Sequence, residues 1–232
     1  TNARRGKKTY LKRNQLKKHG LFYKILAAAI WVLVWQLASM WLQQEILLAS
    51  PVVVIKRLTE LITMADFWKS IGFSFGRIIL GFTLALLLGT VLAALSYGFF
   101  AVEILIDPLI TVIKATPVAS FIILCLIWIP SRNLSVFISL LMVFPVVYTN
   151  LLEGIRQTDK QLLEMADSFG AGLGKKIKFV YLSQVMPYAA TACRLGLGLC
   201  WKAGIAAEVI GIPTGSIGEK LYKAKVYLET PD

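Results

Sequence analysis

The sequence predicts an all-α polytopic membrane protein, and three observations predict it. Hydrophobic residues make up 57% of the 232 and charged residues only 16%, with a mean hydropathy of +0.68. A soluble domain of this size cannot bury that much apolar surface in one core. Several apolar windows reach the ~20 residues that a helix needs to cross a bilayer. The formal charge of +12 is concentrated rather than spread: Arg4, Arg5, Lys7, Lys8, Lys12, Arg13, Lys17 and Lys18 all precede the first apolar run.

Residues 1–20 therefore read as a basic cytoplasmic tail held against membrane lipid by the positive-inside rule. Nucleic-acid binding fits less well, because Tyr10 is the tail's only aromatic and an apolar segment follows directly. That segment is too long for a signal peptide and has no small-residue cleavage pattern after it. Five spanning helices follow, at about Ile25 to Leu42, Ile78 to Phe99, Leu109 to Ile129, Ser135 to Leu152 and Tyr188 to Ile210. Glu45 to Ser74 carries too many charges to span and is expected outside, with a short amphipathic helix around Val53 to Met64. With the tail in the cytoplasm, this arrangement puts Glu153 to Val185 on the cytoplasmic side, where Arg156, Lys160, Lys175, Lys176 and Lys178 obey the same charge rule. Thr214 to Asp232 is polar and falls outside. Pro117, Pro130 and Pro145, within or beside spans, remove backbone donors and predict kinks. Gly81, Ala85, Gly89 and Ala93 recur every four residues on the second span and read as a packing seam.

The loop at about 153–184 is the most informative stretch. Thr158 and Gln161 have the spacing of a capping box. A short helix then puts Leu162, Leu163, Ala166 and Phe169 on one face, apart from Lys160, Glu164 and Asp167, and glycines at 170, 172 and 174 end it. Such a helix presents an apolar ridge to a protein groove; the same pattern also suits a helix lying on lipid headgroups, which Lys175, Lys176 and Lys178 favour.

Glu164, a small residue two later at Ala166 and glycine six later at Gly170, followed by the apolar stretch Val180 to Pro187, resemble the coupling loop of permease subunits of ATP-binding-cassette importers. Members usually carry Ala at the position of Met165 and Pro at that of Ser183, so this chain departs from the pattern at both. Arg156-Gln157-Thr158-Asp159, Arg194-Leu195-Gly196-Leu197-Gly198-Leu199 with Trp201 and Ala206-Ala207-Glu208, Leu48-Ala49-Ser50-Pro51, and Asp107-Pro108-Leu109 with Lys114 and Pro117 are similar to the nitrate, sulfonate and taurine branch. The likeness runs from about Leu47 to Asp232. It implies a type I importer permease domain over 21–232, paired with a second copy. It also implies two ATPase subunits that hold ATP and Mg, and an extracytoplasmic substrate-binding protein. Glu164, Ala166 and Gly170 would lie in the coupling helix, and a further spanning helix would follow the five visible ones. Nitrate, sulfonates, taurine, other organic anions and pyrimidine vitamin precursors all stay open as cargo.

Ionisable residues in spans cost about 2.5–3.5 kcal/mol each on insertion scales unless they find partners or water, so Lys114, Arg194, Lys202 and Glu208 are the candidates for function. Lys202, Trp201, Glu208 and Lys114 are taken as the candidate pathway set. Within it, Lys114 has a snorkelling reading, as does Arg194. Glu208 follows Gly196, Cys200 and Gly204 at four-residue steps and reads as a structural hydrogen-bonding residue on a close-packed seam. Lys202 lies mid-span and off that seam; it either faces the pathway and favours anions or pairs with a carboxylate on another helix. Gly196, Gly198 and Gly204 are expected at an interface between two copies.

Nothing points to covalent chemistry. The three cysteines fall in apolar segments without a CxxC pair, and His19 sits alone in the tail, so neither a metal site nor a nucleophile–histidine pair is supported. Gly170 to Lys176 imitates a phosphate loop, but it has three residues instead of four before Gly-Lys and no Ser or Thr after it. A membrane-embedded enzyme or scaffold would have to use Trp201, Lys202 and Glu208, which form no recognisable catalytic set. A self-powered carrier lacks the expected internal repeat.

Overall fold

The computed structural model describes residues 2–42 and 48–231, with side chains from residue 22 onward. The basic side chains of the tail lie outside that description, as do Glu45 and Leu47. The described residues form helices and no strands, in two compact units, 1–64 with 224–232 and 65–223.

In the first unit, α1 (Asn2–Leu42) runs unbroken, and its part Phe22–Leu42 is long and apolar enough to cross a membrane. Trp35 Nε1 donates to the Ala49 carbonyl at 3.1 Å and Ser39 Oγ to that of Leu48 at 2.9 Å, tying the chain after α1 back onto it. α2 (Pro51–Ile62) begins where Ser50 Oγ accepts from Val53 N at 3.3 Å, with proline in the first turn, where its missing N–H costs nothing.

The second unit is built on α3 (Ala65–Gly98), α6 (Ser131–Arg156) and α9 (Leu182–Gly211). Its apolar core draws on Ile78, Ala85 and Ala93 of α3, Val143, Val147 and Tyr148 of α6, and Ala192 and Cys200 of α9. Gly81 meets Ser139 and Gly89 meets Val147, so α3 and α6 run in the same direction. Gly196 meets Val143 and Gly204 meets Ser139, so α9 runs against both. A Cβ on Gly89 would stand 2.7 Å from Val147 Cγ1, and one on Gly204 2.6 Å from Ile78 Cγ1, which is why only glycine fits there.

α3 starts at Ala65, well before the expected onset at Ile78. Its 34 residues span about 51 Å, which exceeds a ~30 Å hydrocarbon layer. Its polar first turns, with Asp66 favourably placed at the positive end of the helix dipole, therefore extend past the apolar stretch.

The single span expected from Leu109 to Ile129 is corrected. α4 (Phe100–Ala115) and α5 (Val118–Cys125) meet at 104°. Pro117 forces the preceding Thr116 into extended backbone (φ −89°, ψ 132°), as the residue before proline requires. Because α3 and α6 are parallel, residues 99–130 must return the chain to the side where α3 began, so the bent pair is a broken crossing. By length and apolarity, three described helices qualify as spans, or four with that pair; α9 is long enough at 30 residues but carries Arg194, Lys202 and Glu208. Pro145 lies inside an unbroken α6, and Pro130 is its N-cap.

Candidate functional site: the loop from α6 to α9 and the ends of the bundle

Between α6 and α9 the chain forms α7 (Lys160–Ser168), α8 (Leu173–Lys176) and a π-helical turn (Ile177–Tyr181) that runs directly into α9. The cap differs from the capping-box expectation. Asp159 is the N-cap, its carboxylate accepting from Gln161 N at 2.8 Å, while Thr158 is buried and donates its hydroxyl to the Gly154 carbonyl at 3.3 Å. Asp159 wins because the last turn of α6 already occupies Thr158. Gly170 ends the helix in the left-handed region at φ 63°, where a side chain would be strained.

The apolar face of α7 divides in two. Leu163 and Ala166 are half-buried, whereas Leu162, Met165 and Phe169 are exposed, Phe169 by 82%. At 100° per residue the three exposed positions fall within an arc of about 60°, so they form one ridge. Met165, the residue that departs from the family pattern, is part of it. Glu164 is exposed.

This loop is braced on the bundle. Gln184 Oε1, on α9, accepts from Asp159 N at 2.8 Å. The Tyr97 and Tyr181 hydroxyls lie 3.5 Å apart with their rings edge to face, joining the end of α3 to the π turn. That hydrogen bond, with burial behind it, pushes Tyr181 up to about 12, so its phenol stays neutral. Asp167 pairs with Lys176, and Arg156 at the end of α6 pairs with Glu103 of α4. A Cβ on Gly154 would press on the Tyr188 ring at 2.9 Å, so α6 and α9 meet closely where the loop leaves and returns.

At the other end of the bundle, Glu208 is fully buried. Ser74 Oγ of α3 donates to its Oε2 at 2.6 Å, Ile217 N donates to Ser74 Oγ at 2.9 Å, and Gly218 N donates to Oε2 at 3.4 Å. The carboxyl thus staples the start of α10 (Ile217–Tyr227) to α3 and α9. Its Oε1 has no hydrogen-bond partner among the described residues. Between α9 and α10, Ile212 is held at φ 49°, ψ 51°, a left-handed conformation rare for a β-branched residue.

The remaining candidates face outward. Lys202 and Arg194 on α9, and Lys114 at the end of α4, are exposed and make no hydrogen bond or ion pair among the described residues. Trp201 is exposed and stacks edge to face on Phe75, ring centres 6.3 Å apart. Of the three α9 glycines expected at an interface between copies, Gly196 and Gly204 are used inside the chain, against Val143 and Ile78; only Gly198 faces open space. The hydroxyl–carboxyl pair Ser74–Glu208 and the Tyr97–Tyr181 contact were not legible as pairs, since 134 and 84 residues separate the partners.

These features sit within a known family. The profile described as the binding-protein-dependent transport system inner membrane component matches residues 81–231. A permease protein named for aliphatic sulfonates transport in Escherichia coli K12 is 31% identical, over 86% of this chain and 76% of its own. One of the same name from Bacillus subtilis 168 is 27% identical, over 92% and 78%. The taurine transport system permease protein of Escherichia coli K12 is 27% identical, over 84% and 73%. The chain belongs to the family of binding-protein-dependent transport system inner membrane components, the multi-pass, non-catalytic permease subunits of ATP-binding-cassette importers.

Proposed function

We propose that this chain lines half of the pathway of an ATP-driven importer for a small anion such as a sulfonate, taurine or nitrate, and that α7 is the surface by which a cytoplasmic ATPase drives it. The observation that carries this reading is the exposed ridge of Leu162, Met165 and Phe169 on a loop braced to α3 and α9. An apolar ridge of that kind is the helix-in-groove mode of recognition. Pressure on it passes into α9 through the Asp159–Gln184 bond and the π turn, whose backbone is continuous with α9.

In this reading α7 and the tail are cytoplasmic, and the Glu208 end of the bundle faces outward to the substrate-binding protein. Two copies and two ATPases, which hold ATP and Mg, make the complex. Lys202, unpaired on the outer face of α9, gives the pathway its preference for anions.

The test is co-purification of the ATPase with variants of the ridge, together with coupled uptake. Phe169→Asp and Met165→Asp should abolish ATPase retention while membrane insertion persists. Glu164→Ala and Gly170→Val should keep the ATPase but lose uptake driven by ATP. A ridge variant that retains both the ATPase and full uptake rejects the docking role and leaves α7 as a helix lying on lipid headgroups.

A further inference from the structure

At the end of the bundle opposite α7, a cleft of about 550 Å3 opens between α3, the start of α6 and the α9–α10 connection, lined by Phe73, Ser131, Arg132, Ile212, Pro213 and Thr214. Its volume lies within the range of small-molecule sites, and no carboxylate lines it. Arg132 is exposed at the cleft and makes no hydrogen bond or ion pair among the described residues. Arg77, one turn beyond Phe73 on α3, lies outside the lining itself. Arg77 is fixed over the Phe73 ring at 4.3 Å and donates to Asn133 Oδ1 at 3.3 Å.

One guanidinium, Arg132, is thus left free at the concavity, while Arg77 holds the Phe73 ring and the Asn133 amide at its side. The rest of the lining is complementary: the Ser131 and Thr214 hydroxyls supply donors, while Phe73, Ile212 and Pro213 supply an apolar wall. Ser131 and Arg132 also open the first turn of α6, whose N-cap, Pro130, offers its amides no side-chain acceptor. The left-handed Ile212 forms part of the same wall.

We propose that this cleft is a binding site for an oxyanion carrying a short apolar group. Arg132 and the hydroxyls take the charged head, bidentate contact with the guanidinium fixing its orientation, and Phe73, Ile212 and Pro213 take the tail. The orientation proposed for α7 makes this the external end of the permease, so the site is separate from the pathway at Lys202. A dissolved organic anion and the headgroup of an anionic lipid share this chemistry.

Calorimetric titration of the full chain in phosphatidylcholine nanodiscs with ethanesulfonate, sulfate and the neutral ethanesulfonamide tests the site without any ATPase. Saturable binding of ethanesulfonate and sulfate but not of the sulfonamide is expected. Arg132→Gln should weaken it by about tenfold or more and Arg132→Lys by less, with unchanged thermal unfolding in both. Phe169→Asp on α7 should leave it intact, so failure here is distinct from failure of the coupling reading. Repeating the titration in phosphatidylglycerol nanodiscs separates the sources: Arg132-dependent competition assigns the site to a lipid headgroup, and undiminished affinity assigns it to a dissolved anion. Absence of saturable binding to either anion, or equal binding by a folded Arg132→Gln chain, overturns the proposal.

Discussion

A single buried carboxyl decides the end of this bundle opposite α7. Glu208 is reached by Ser74 and Gly218, and Ser74 is in turn reached by Ile217, so three segments depend on one side chain. Glu208→Ala would leave the Ser74 hydroxyl and the Gly218 amide without that acceptor, a loss of about 1–3 kcal/mol for a buried group. Thermal unfolding in detergent should show a lowered midpoint for Glu208→Ala. Glu208→Gln, which can still accept from Ser74, should fall much closer to the parent. Equal midpoints for Glu208→Ala and the parent would mean that water or a neighbouring hydroxyl replaces the carboxyl. Ile212 bears on the same region: its left-handed backbone costs on the order of 1–3 kcal/mol, and Ile212 N donating to the Glu208 carbonyl at 2.8 Å helps to hold it.

Small residues on α3 let the large apolar side chains of α6 pack directly against its backbone. Gly81, Ala85, Gly89 and Ala93 are all buried on α3, and the two glycines bring α6 close enough that a Cβ would overlap Ser139 or Val147. Lipid tails are as apolar as leucine, so close backbone packing has to supply the attraction between membrane helices. Gly89→Leu should therefore disrupt the α3–α6 pair and cut the yield of folded protein. Gly198→Leu should leave the unfolding midpoint unchanged, since nothing lies within 4 Å of that position. If a second copy packs on that face of α9, Gly198→Leu should instead shift the protein to the monomer in light scattering. An unchanged mass would place the interface between copies elsewhere.

For the molecule as a whole, the parallel pair α3 and α6 and the antiparallel α9 fix which ends lie together. The loop bearing α7 meets the C-terminal ends of α3 and α6, and the anion cleft and Glu208 meet the N-terminal ends. Lys202 sits between them on an exposed face with no partner in the described chain. An unpaired lysine at that depth costs about 2.5–3.5 kcal/mol on insertion scales, which water in a pathway would relieve. Lys202→Met should preserve folding and basal ATP hydrolysis in the reconstituted complex but slow uptake of the anion, and Lys202→Glu should slow it further through repulsion. Uptake at the parent rate by both variants would make Lys202 a residue of the lipid or subunit boundary.

The sequence by itself determined the class of the protein, because membrane helices are specified by runs of about 20 apolar residues that need no distant partner. It also placed α2, the close-packed stripe on α3 and the glycine that ends α7, all of which are local patterns. Glu164, Ala166 and Gly170 were readable as a motif for the same reason. What the sequence left undecided depends on contacts between segments far apart along the chain. The break at Thr116–Pro117 was legible as a kink but not as a 104° turn, since the angle is set by what α5 packs against. Whether Leu163 or Met165 faces outward on α7 depended on which side the bundle occupies. Gly196 and Gly198 are indistinguishable in sequence, yet one is filled by Val143 and Phe82 and the other is open. The Glu208 staple and the Phe73–Arg132 cleft exist only after folding, because tertiary structure alone brings α3, α6 and α9 to the same place.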